Sequence, residues 1–477
     1  MTRRTKIVAT IGPTSDTPEQ LEALIAAGVD VVRLNLSHGS LDGHLERIAR
    51  VRAASQAVGK PVGVLADLPG PKIRAGAFPE DGVRLSAGTE ITLRPGRESS
   101  DAETVFVDYP TLVEDVEVGD RLTIGDGAIS LRCTEGGSDS LRALVETGDR
   151  IQGRPGVHIP SEHMRLTTPT EADLVLAERV ASVGVDFIAV SFVCKPADVT
   201  AVRDVVGERA KLVAKIETSA ALGHMSEIIY ASDAIMVARG DLGIDCPLED
   251  LPHLQKAIVR KCVEYGIPVI TATQMLESMI TAPSPTRAEV TDVANAVFDG
   301  TDALMLSGET AIGHAPVLTV QTMHAIAERA EVEASYRQWA ARLGRIQRER
   351  WDSKGDRITA AISHAASEAA VDLDVDAIVC CTNSGRTATA MARFRPGARL
   401  IALSPNPRTV TQLTLSWGVE PFGVDTYEST DQIVWFSVER AVRDGLISPG
   451  DTIVVLAGSP VKAADTAADV MRIIQVT

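Results

Sequence analysis

The chain has 477 residues, too long for one ordinary domain at roughly 150 residues each and suited to two or three. Hydrophobic residues make up 45% and aromatic residues only 4%, so the apolar content is mainly Ala, Val, Leu and Ile; disorder is excluded, and α/β architecture with strands buried on both faces is favoured. A formal net charge of -17 removes any general attraction to nucleic acid or anionic membrane, so an anionic substrate has to be held by a local basic cluster or a metal ion.

In chain order, short apolar runs recur, each ending in a polar residue. Ile7-Val8-Ala9-Thr10 is the first. Thr17-Pro18-Glu19-Gln20 reads as a capping box with Pro at the first helical position, and Gly28 closes that helix. Val31-Val32-Arg33-Leu34-Asn35 and Val62-Gly63-Val64-Leu65-Ala66-Asp67 follow. Between Asp67 and about Thr168 the helical pattern stops. Alternating runs such as Glu90-Ile91-Thr92-Leu93 and Thr104-Val105-Phe106-Val107 replace it, with a turn at Gly125-Asp126-Gly127. The βα rhythm then resumes with Phe187-Ile188-Ala189-Val190-Ser191, Leu212-Val213-Ala214-Lys215, Ala234-Ile235-Met236-Val237, Val269-Ile270-Thr271-Ala272-Thr273 and Ala303-Leu304-Met305-Leu306-Ser307. Helical spacing at 254–259 and 290–297 separates the later runs.

About eight runs is the number a closed parallel barrel needs. The predicted fold is therefore α/β: a (β/α)8 TIM barrel over 1–69 and 168–340, interrupted by a small all-β barrel domain over 70–167. The insert leaves the barrel at the end where active sites lie, which favours a lid over decoration. A charged linker is expected over 342–356. A C-terminal α/β three-layer domain over 355–477 has strands at Ala377-Ile378-Val379-Cys380-Cys381, Leu400-Ile401-Ala402-Leu403 and Thr452-Ile453-Val454-Val455-Leu456. The six cysteines, Cys133, Cys194, Cys246, Cys262, Cys380 and Cys381, form no Cys-x-x-Cys pair, which argues against zinc and disulfides and for a reducing, cytoplasmic location. Residues 1–6 are basic but precede only a short apolar run, unlike a secretory signal, and no stretch approaches the ~20 apolar residues of a membrane span.

Polar residues at strand ends point into a barrel's mouth. Collected, they are Arg33, Asn35, Asp67, Ser191, Lys215, Glu217, Asp241, Thr273 and Ser307. Each alone has an ordinary explanation: a helix cap for Glu217 and Thr273, a solvent charge or Schiff-base amine for Lys215, a helix start for Asp241. Together, Glu217 and Asp241 suit Mg²⁺ or Mn²⁺, while Lys215 and Arg33 suit an oxyanion or phosphate. With no Cys or His in the set, phosphoryl transfer or enolate chemistry is favoured over thiol or zinc chemistry.

Longer motifs carry a family resemblance. Arg33 with Asn35-Leu36-Ser37-His38-Gly39, Lys215-Ile216-Glu217, Met236-Val237-Ala238-Arg239-Gly240-Asp241-Leu242-Gly243, Thr271-Ala272-Thr273-Gln274-Met275-Leu276-Glu277-Ser278-Met279, Pro285-Thr286-Arg287-Ala288-Glu289 and Met305-Leu306-Ser307-Gly308-Glu309-Thr310 resemble pyruvate kinases, and the likeness covers nearly the whole chain. It implies that Glu217 and Asp241 hold the divalent metal and that Lys215 neutralises charge on the enolate oxygen. Arg33 grips the phosphoryl group. The N–H groups near Gly240 and Asp241 receive the substrate carboxylate. Thr273 helps to deliver a proton to the enolate carbon, Arg74 contacts the phosphates of ADP or ATP or the phosphoryl group, and Asn35 and His38 face the nucleotide. A homotetramer is implied as well.

Departures from the family sharpen the reading. The third-strand motif is Asp67-Leu68-Pro69-Gly70-Pro71-Lys72-Ile73-Arg74, with Lys72 where many members carry Glu beside a bound K⁺. The monovalent-cation pocket, Asn35, Ser37, Asp67 and Lys72, is thus expected to hold its own ammonium, and K⁺ is not expected to be required. Pro155-Gly156 replaces the usual Lys-Gly at the lid's end, making Arg154 the candidate nucleotide contact; Ala172 replaces a family Lys. The loop Thr382-Asn383-Ser384-Gly385-Arg386-Thr387 is where the family binds phosphorylated effectors, but 457–461 lacks the basic and aromatic residues of sugar-bisphosphate-activated members, so the effector stays open. Two alternatives remain: a regulatory or binding paralogue without turnover, and a Mg²⁺-dependent keto-acid aldolase or lyase on a similar barrel. Mg²⁺-dependent turnover discriminates against the first, and a requirement for ADP against the second.

Overall fold

The structure is a computed structural model, and it describes residues 3–125, 127–160, 167–334, 343, 354–425, 430–458 and 468–477. The expected linker over 342–356 lies outside these apart from Leu343 and the start of the helix Lys354–Asp372, as do Asp126 of the Gly125–Gly127 turn and residues 459–461.

The apolar runs form eight parallel strands: Lys6–Thr10, Val31–Asn35, Gly63–Asp67, Phe187–Val190, Lys211–Ile216, Ala234–Ala238, Val269–Ala272 and Ala303–Leu306. They close into one barrel in sequence order, the first pairing with both the second and the eighth. Both faces of each strand are buried, which is why the runs show no polar alternation. Val8, Val31, Leu65, Val213, Met236, Ile270 and Met305 belong to one apolar cluster, and Ile7, Leu34, Val64, Ile188 and Ile235 to a second that includes helix residues such as Leu21, Val51 and Val199. Each such Val, Leu or Ile contributes about 1.5–3 kcal/mol on burial.

A repeated device closes the end away from the mouth. Asp30, Asp186, Asp233 and Asp302 immediately precede the second, fourth, sixth and eighth strands or lie one residue before them. Each carboxylate accepts the N–H of a residue in or bordering the preceding odd strand: Ile7 at 2.9 Å, Val64 at 2.7 Å, Leu212 at 2.8 Å and Val269 at 3.0 Å. Each is also paired with an arginine, Arg3, Arg52, Arg203 and Arg395 respectively. The four carboxylates thus staple strands in pairs around the barrel floor.

Thr17 caps the first helix, Pro18–Ala27, by accepting from the Gln20 N–H, and Gly28 ends it at φ 123°. The expected capping box is only half made, because the Gln20 side-chain oxygen is buried without a partner. Full capping boxes occur instead at Thr170–Asp173 and Thr286–Glu289. The first of these includes Ala172, and its Asp173 also accepts the Gly70 N–H at 3.1 Å, tying the helix to the loop after the third strand.

Between the third and fourth barrel strands lies a unit that is β throughout except for one short helix, Leu112–Asp115, so the expected all-β insert carries a single helical turn. Its six-stranded sheet orders Val157–His158, Arg121–Ile124, Ile129–Gly136, Leu141–Thr147, Glu90–Pro95 and Thr104–Val107; Phe78–Arg84 and Arg150–Gly153 make a two-stranded sheet. Both enclose one apolar core that includes Phe78, Leu93, Leu122, Ile129 and Val145. The C-terminal domain has a five-stranded sheet ordered Val419–Gly423, Arg399–Ser404, Ala377–Cys381, Thr452–Gly458 and Ala468–Gln475, parallel except for the last strand. Alternate residues of the strand Ala377–Cys381 enter two separate cores, Ile378 and Cys380 in one and Ala377 and Val379 in the other, which gives three layers. Among the described residues no helix is long and apolar enough to cross a membrane.

Candidate active site

The ends of the barrel strands deliver the expected side chains to one cleft of about 930 Å³, roofed by the β insert. Arg33, Asn35, Ser37, His38, Asp67, Ser191, Lys215, Glu217, Gly240, Asp241, Thr273 and Ser307 line it from the barrel, and Lys72 and Arg74 from the segment entering the insert.

Asp67, at the end of the third strand, is the hub. The register places it opposite Asn35, so Arg33 two residues earlier reaches across. Arg33 Nε and Nη2 lie 2.7 and 2.6 Å from Asp67 Oδ2, and its Nη1 donates to Thr10 Oγ1 at 3.0 Å. Lys215 Nζ lies 3.2 Å from Asp67 Oδ1 and 2.8 Å from Glu217 Oε1, and donates to Ser191 Oγ at 2.7 Å. Burial works against the charged form of Asp67, but Lys215 and Arg33 outweigh it and hold the carboxyl below its usual range. Burial likewise works against the Lys215 ammonium, yet Asp67 and Glu217 raise its pKa overall, so the amine stays charged.

Glu217 is almost wholly buried, and its Oε2 accepts the Phe192 N–H at 2.6 Å. Burial, together with the nearby Asp241 charge, pushes its carboxyl up to about 7 against the pull of Lys215. Two crowded carboxylates of this kind favour a hard divalent cation, which would relieve their repulsion. No group of three His, Cys, Asp or Glu side chains suited to a metal occurs among the described residues; a cation on these two carboxylates would keep positions for substrate oxygens and water. The donor set fits Mg²⁺ or Mn²⁺.

Thr273 follows the seventh strand in left-handed backbone, φ 67°, and Gln274 shares it at 53°. Such geometry costs of order 1–3 kcal/mol per non-glycine residue and persists where surroundings enforce it. Arg239 enforces it here. Its guanidinium donates to Ala272 O at 3.1 Å and Thr273 O at 2.6 Å while bound to Asp292 at 2.7 Å. The Gly240 N–H, expected to face a substrate carboxylate, instead donates to Thr273 Oγ1 at 2.8 Å, and that hydroxyl donates to Ala272 O at 2.6 Å.

Lys72 is exposed at the rim and makes no ion pair among the described residues. Partial burial and the charges of Lys215 and Arg74 lower its pKa, opposed by Asp67 and Asp241. His38, also exposed, is lowered by partial burial and by Lys72, Arg74 and Arg33. Arg154 does not line the cleft: its guanidinium lies 3.3 Å from Asp108 Oδ2 on the insert, and its carbonyl accepts from Arg74 Nη1 at 3.1 Å. The distant loop Thr382–Thr387 is self-braced, with Thr382 Oγ1 accepting the Gly385 N–H and Asn383 O accepting from Thr409. Ser384, Gly385 and Arg386 border a second cavity of about 550 Å³ between the barrel floor and the C-terminal domain, whereas Thr382 and Thr387 are buried.

Several cleft residues escaped sequence reasoning: Arg239, Phe192 at φ 55°, Glu277 and His158. Arg239 stood inside a quoted motif but its role depends on carbonyls 33 to 35 residues away. Phe192 and His158 carried no local signal.

Comparison with known proteins agrees with this geometry. A family model described as pyruvate kinase, barrel domain, matches residues 2–320, and one described as pyruvate kinase, alpha/beta domain, matches 360–474. A pyruvate kinase of Methylorubrum extorquens is 42% identical over 96% of this chain and 94% of its own length. That of Geobacillus stearothermophilus is 40% identical over 97% of this chain and 78% of its own. Among solved structures, a pyruvate kinase from Cryptosporidium parvum superposes with a TM-score of 0.91 at 32% identity, covering 100% of this chain and 96% of that one. By sequence, by fold and by the residues gathered at its barrel mouth, this chain belongs to the pyruvate kinase family and is a phosphotransferase.

Proposed function

We propose that the chain transfers the phosphoryl group of phosphoenolpyruvate to ADP, giving pyruvate and ATP, with Mg²⁺ or Mn²⁺ and without need of K⁺. The observation that carries this reading is the single cluster in which Arg33, Asp67, Lys215 and Glu217 are joined by contacts of 2.6–3.2 Å, beside Asp241 and Thr273 and beneath Lys72 and Arg74.

Glu217 and Asp241 hold the divalent ion, whose contribution is Lewis-acid stabilisation of oxygen charge. Arg33 and Lys215 turn their donors to the phosphoryl oxygens. The bond from phosphorus to the enol oxygen breaks as one to a terminal ADP oxygen forms, and Lys215, fixed as an ammonium, offsets the charge left on the enolate. Thr273 orients a water that protonates the enolate carbon, giving pyruvate. Its link to the Gly240 N–H supports a shared role of hydroxyl and helix start in holding the substrate carboxylate. Arg74, Asn35 and His38 face the nucleotide from the lid side. Arg154, turned to Asp108, acts on it by bracing Arg74.

Lys72 supports independence from K⁺, since its ammonium lies within electrostatic reach of Asp67 and Asp241, where a monovalent cation would otherwise balance charge. The β insert acts as the lid, and the Thr382–Thr387 loop, with the cavity beside it, as the site of a phosphorylated effector. Six free cysteines are consistent with a reducing, cytoplasmic setting. Exposed Trp435, Phe436 and Ile473 support self-association through the C-terminal domain, in line with a tetramer.

The test is product stoichiometry. ATP and pyruvate should form one for one from phosphoenolpyruvate and ADP with Mg²⁺, and Glu217→Gln should lower the rate about 10³-fold or more. Pyruvate without ATP would reject the reading.

A further inference from the structure

A hydrogen bond between two side chains crosses from the β insert to the barrel: His158 Nε2 lies 3.0 Å from Asp245 Oδ1. Both groups are sheltered, with 15% and 2% of the side chains exposed. Neither belongs to the set that holds metal, phosphoryl group or nucleotide. We propose that His158 and Asp245 are positioning residues that fix the lid over the barrel mouth, and so set the distance between the lid cations and the two carboxylates.

The covalent and hydrogen-bonded surroundings support this. Asp245 ends the helix Arg239–Asp245, whose first turn carries Gly240 and Asp241. Its other oxygen, Oδ2, accepts the Ser219 N–H at 2.6 Å, two residues beyond Glu217. One buried carboxylate therefore braces the segments that present both acidic side chains. On the lid side, His158 sits on the strand Val157–His158, and the Val157 N–H donates to Ile73 O at 3.0 Å. Gly156 bridges Arg74, and the Ala75 N–H donates to Pro155 O at 2.9 Å. Lys72 and Arg74 flank Ile73, so the strand that carries His158 is hydrogen-bonded to the segment that carries the lid's cations. A pull on the His158–Asp245 link is a pull between the two halves of the site. Contacts of this kind govern closure, and small misplacements at such a site cost rate far from the contact itself.

The proposal rests on the phosphoryl-transfer reading above. Its test uses the full-length protein with Mg²⁺. His158→Ala should lower kcat/KM for ADP about 10- to 100-fold, the expected loss of one hydrogen bond to a charged acceptor. KM for phosphoenolpyruvate, bound by the barrel, should stay within about twofold, and the melting temperature should not change. His158→Gln, which keeps an N–H donor near the Nε2 position, should restore most of the loss. Amide hydrogen exchange should rise in His158→Ala at 155–158 and 239–245 together, and not in His158→Gln. An ADP term unchanged within twofold, equal losses for both substrates, or a Gln variant as impaired as Ala would overturn the proposal. A wild type that makes no pyruvate defeats the phosphoryl-transfer reading alone; the exchange pattern then decides the link.

Discussion

Asp67 shows how much one buried carboxylate can organise. It is 1% exposed, and it draws Arg33 from the second strand and Lys215 from the fifth into one cluster. Removing its charge leaves Arg33 without its buried carboxylate partner and Lys215 with Glu217 alone, a change that costs about 3–5 kcal/mol at a buried pair. Asp67→Asn should therefore lower kcat about 10²-fold or more and also lower the melting temperature, both measurable on the purified chain. Lys72 makes the complementary case at the rim. Lys72→Glu would set a third carboxylate near Asp67 and Asp241, so the rate without K⁺ should fall by about an order of magnitude or more and added K⁺ should restore most of it. Wild-type turnover should not respond to K⁺. A strong stimulation of the wild type by K⁺ over a buffer free of Na⁺ and K⁺ would reject the internal-ammonium account. Arg33, Lys215, Glu217, Asp241 and Thr273 were legible in the sequence because a strand end fixes which way a side chain points. Arg154 was not placed correctly by its position alone, because its reach was decided by Asp108 on a neighbouring strand turn.

At the level of elements, the turn after the seventh strand and the floor of the barrel depend on contacts that no local pattern reveals. Arg239 holds Thr273 and Gln274 in left-handed backbone through their carbonyls. Arg239→Met should let that turn relax, lowering kcat about tenfold or more, with a smaller change in KM for ADP than for phosphoenolpyruvate. The floor staples are stability devices. At Asp30, burial opposes ionisation, but Arg3, Lys60 and Lys6 outweigh it and bring the pKa well below the usual carboxylate range. A depressed folded-state pKa stabilises above the unfolded value of about 3.9 and the gain is lost as pH falls below it. Melting temperatures should accordingly drop on acidification below about pH 5, and Asp30→Asn, less stable by about 3 kcal/mol at pH 7, should show a flatter acid limb. An unchanged slope would show that Asp30 carries no such linkage. The staple pattern was present in the sequence as Asp just before apolar runs, at Asp30, Asp186, Asp233 and Asp302, and again at Asp376, which accepts the Thr452 N–H at 2.9 Å in the C-terminal sheet. It was missed because a single Asp before a strand looks like an ordinary turn residue; only the repeat and the partnered N–H give it meaning. The half-made capping box at Thr17 is the opposite case, where a good local motif lost one of its two bonds to packing.

On the scale of the whole molecule, the C-terminal domain is bound to the barrel floor by buried polar contacts rather than by a loose tether. Arg395 is nearly fully buried, bound to Asp302 at 2.9 Å, donating to Gly300 O at 2.7 Å and lying 4.9 Å from the Trp417 ring centre. Lys6 Nζ donates to Val419 O at 2.8 Å, and the Thr411 hydroxyl donates to Asp186. Gly63 is required at the junction, since a Cβ there would lie 2.7 Å from Thr414 Oγ1 and 3.1 Å from Thr411 O. Two of the four floor staples thus share their carboxylates with the second domain. The domains should unfold together: Arg395→Met should cost about 3 kcal/mol or more and lower a single melting transition rather than split it. Barrel, insert and second sheet were all legible as changes of period along the chain, whereas the surface by which they meet was not, because it is built from residues 93 to 413 positions apart. The central claim, that the mouth of this barrel moves a phosphoryl group from phosphoenolpyruvate to ADP, is tested most directly by the initial rate of pyruvate formation with Mg²⁺ in buffer free of K⁺, with and without ADP. The account predicts rapid formation that depends strictly on ADP. No pyruvate under any cation condition, or pyruvate at the same rate when ADP is left out, would contradict it.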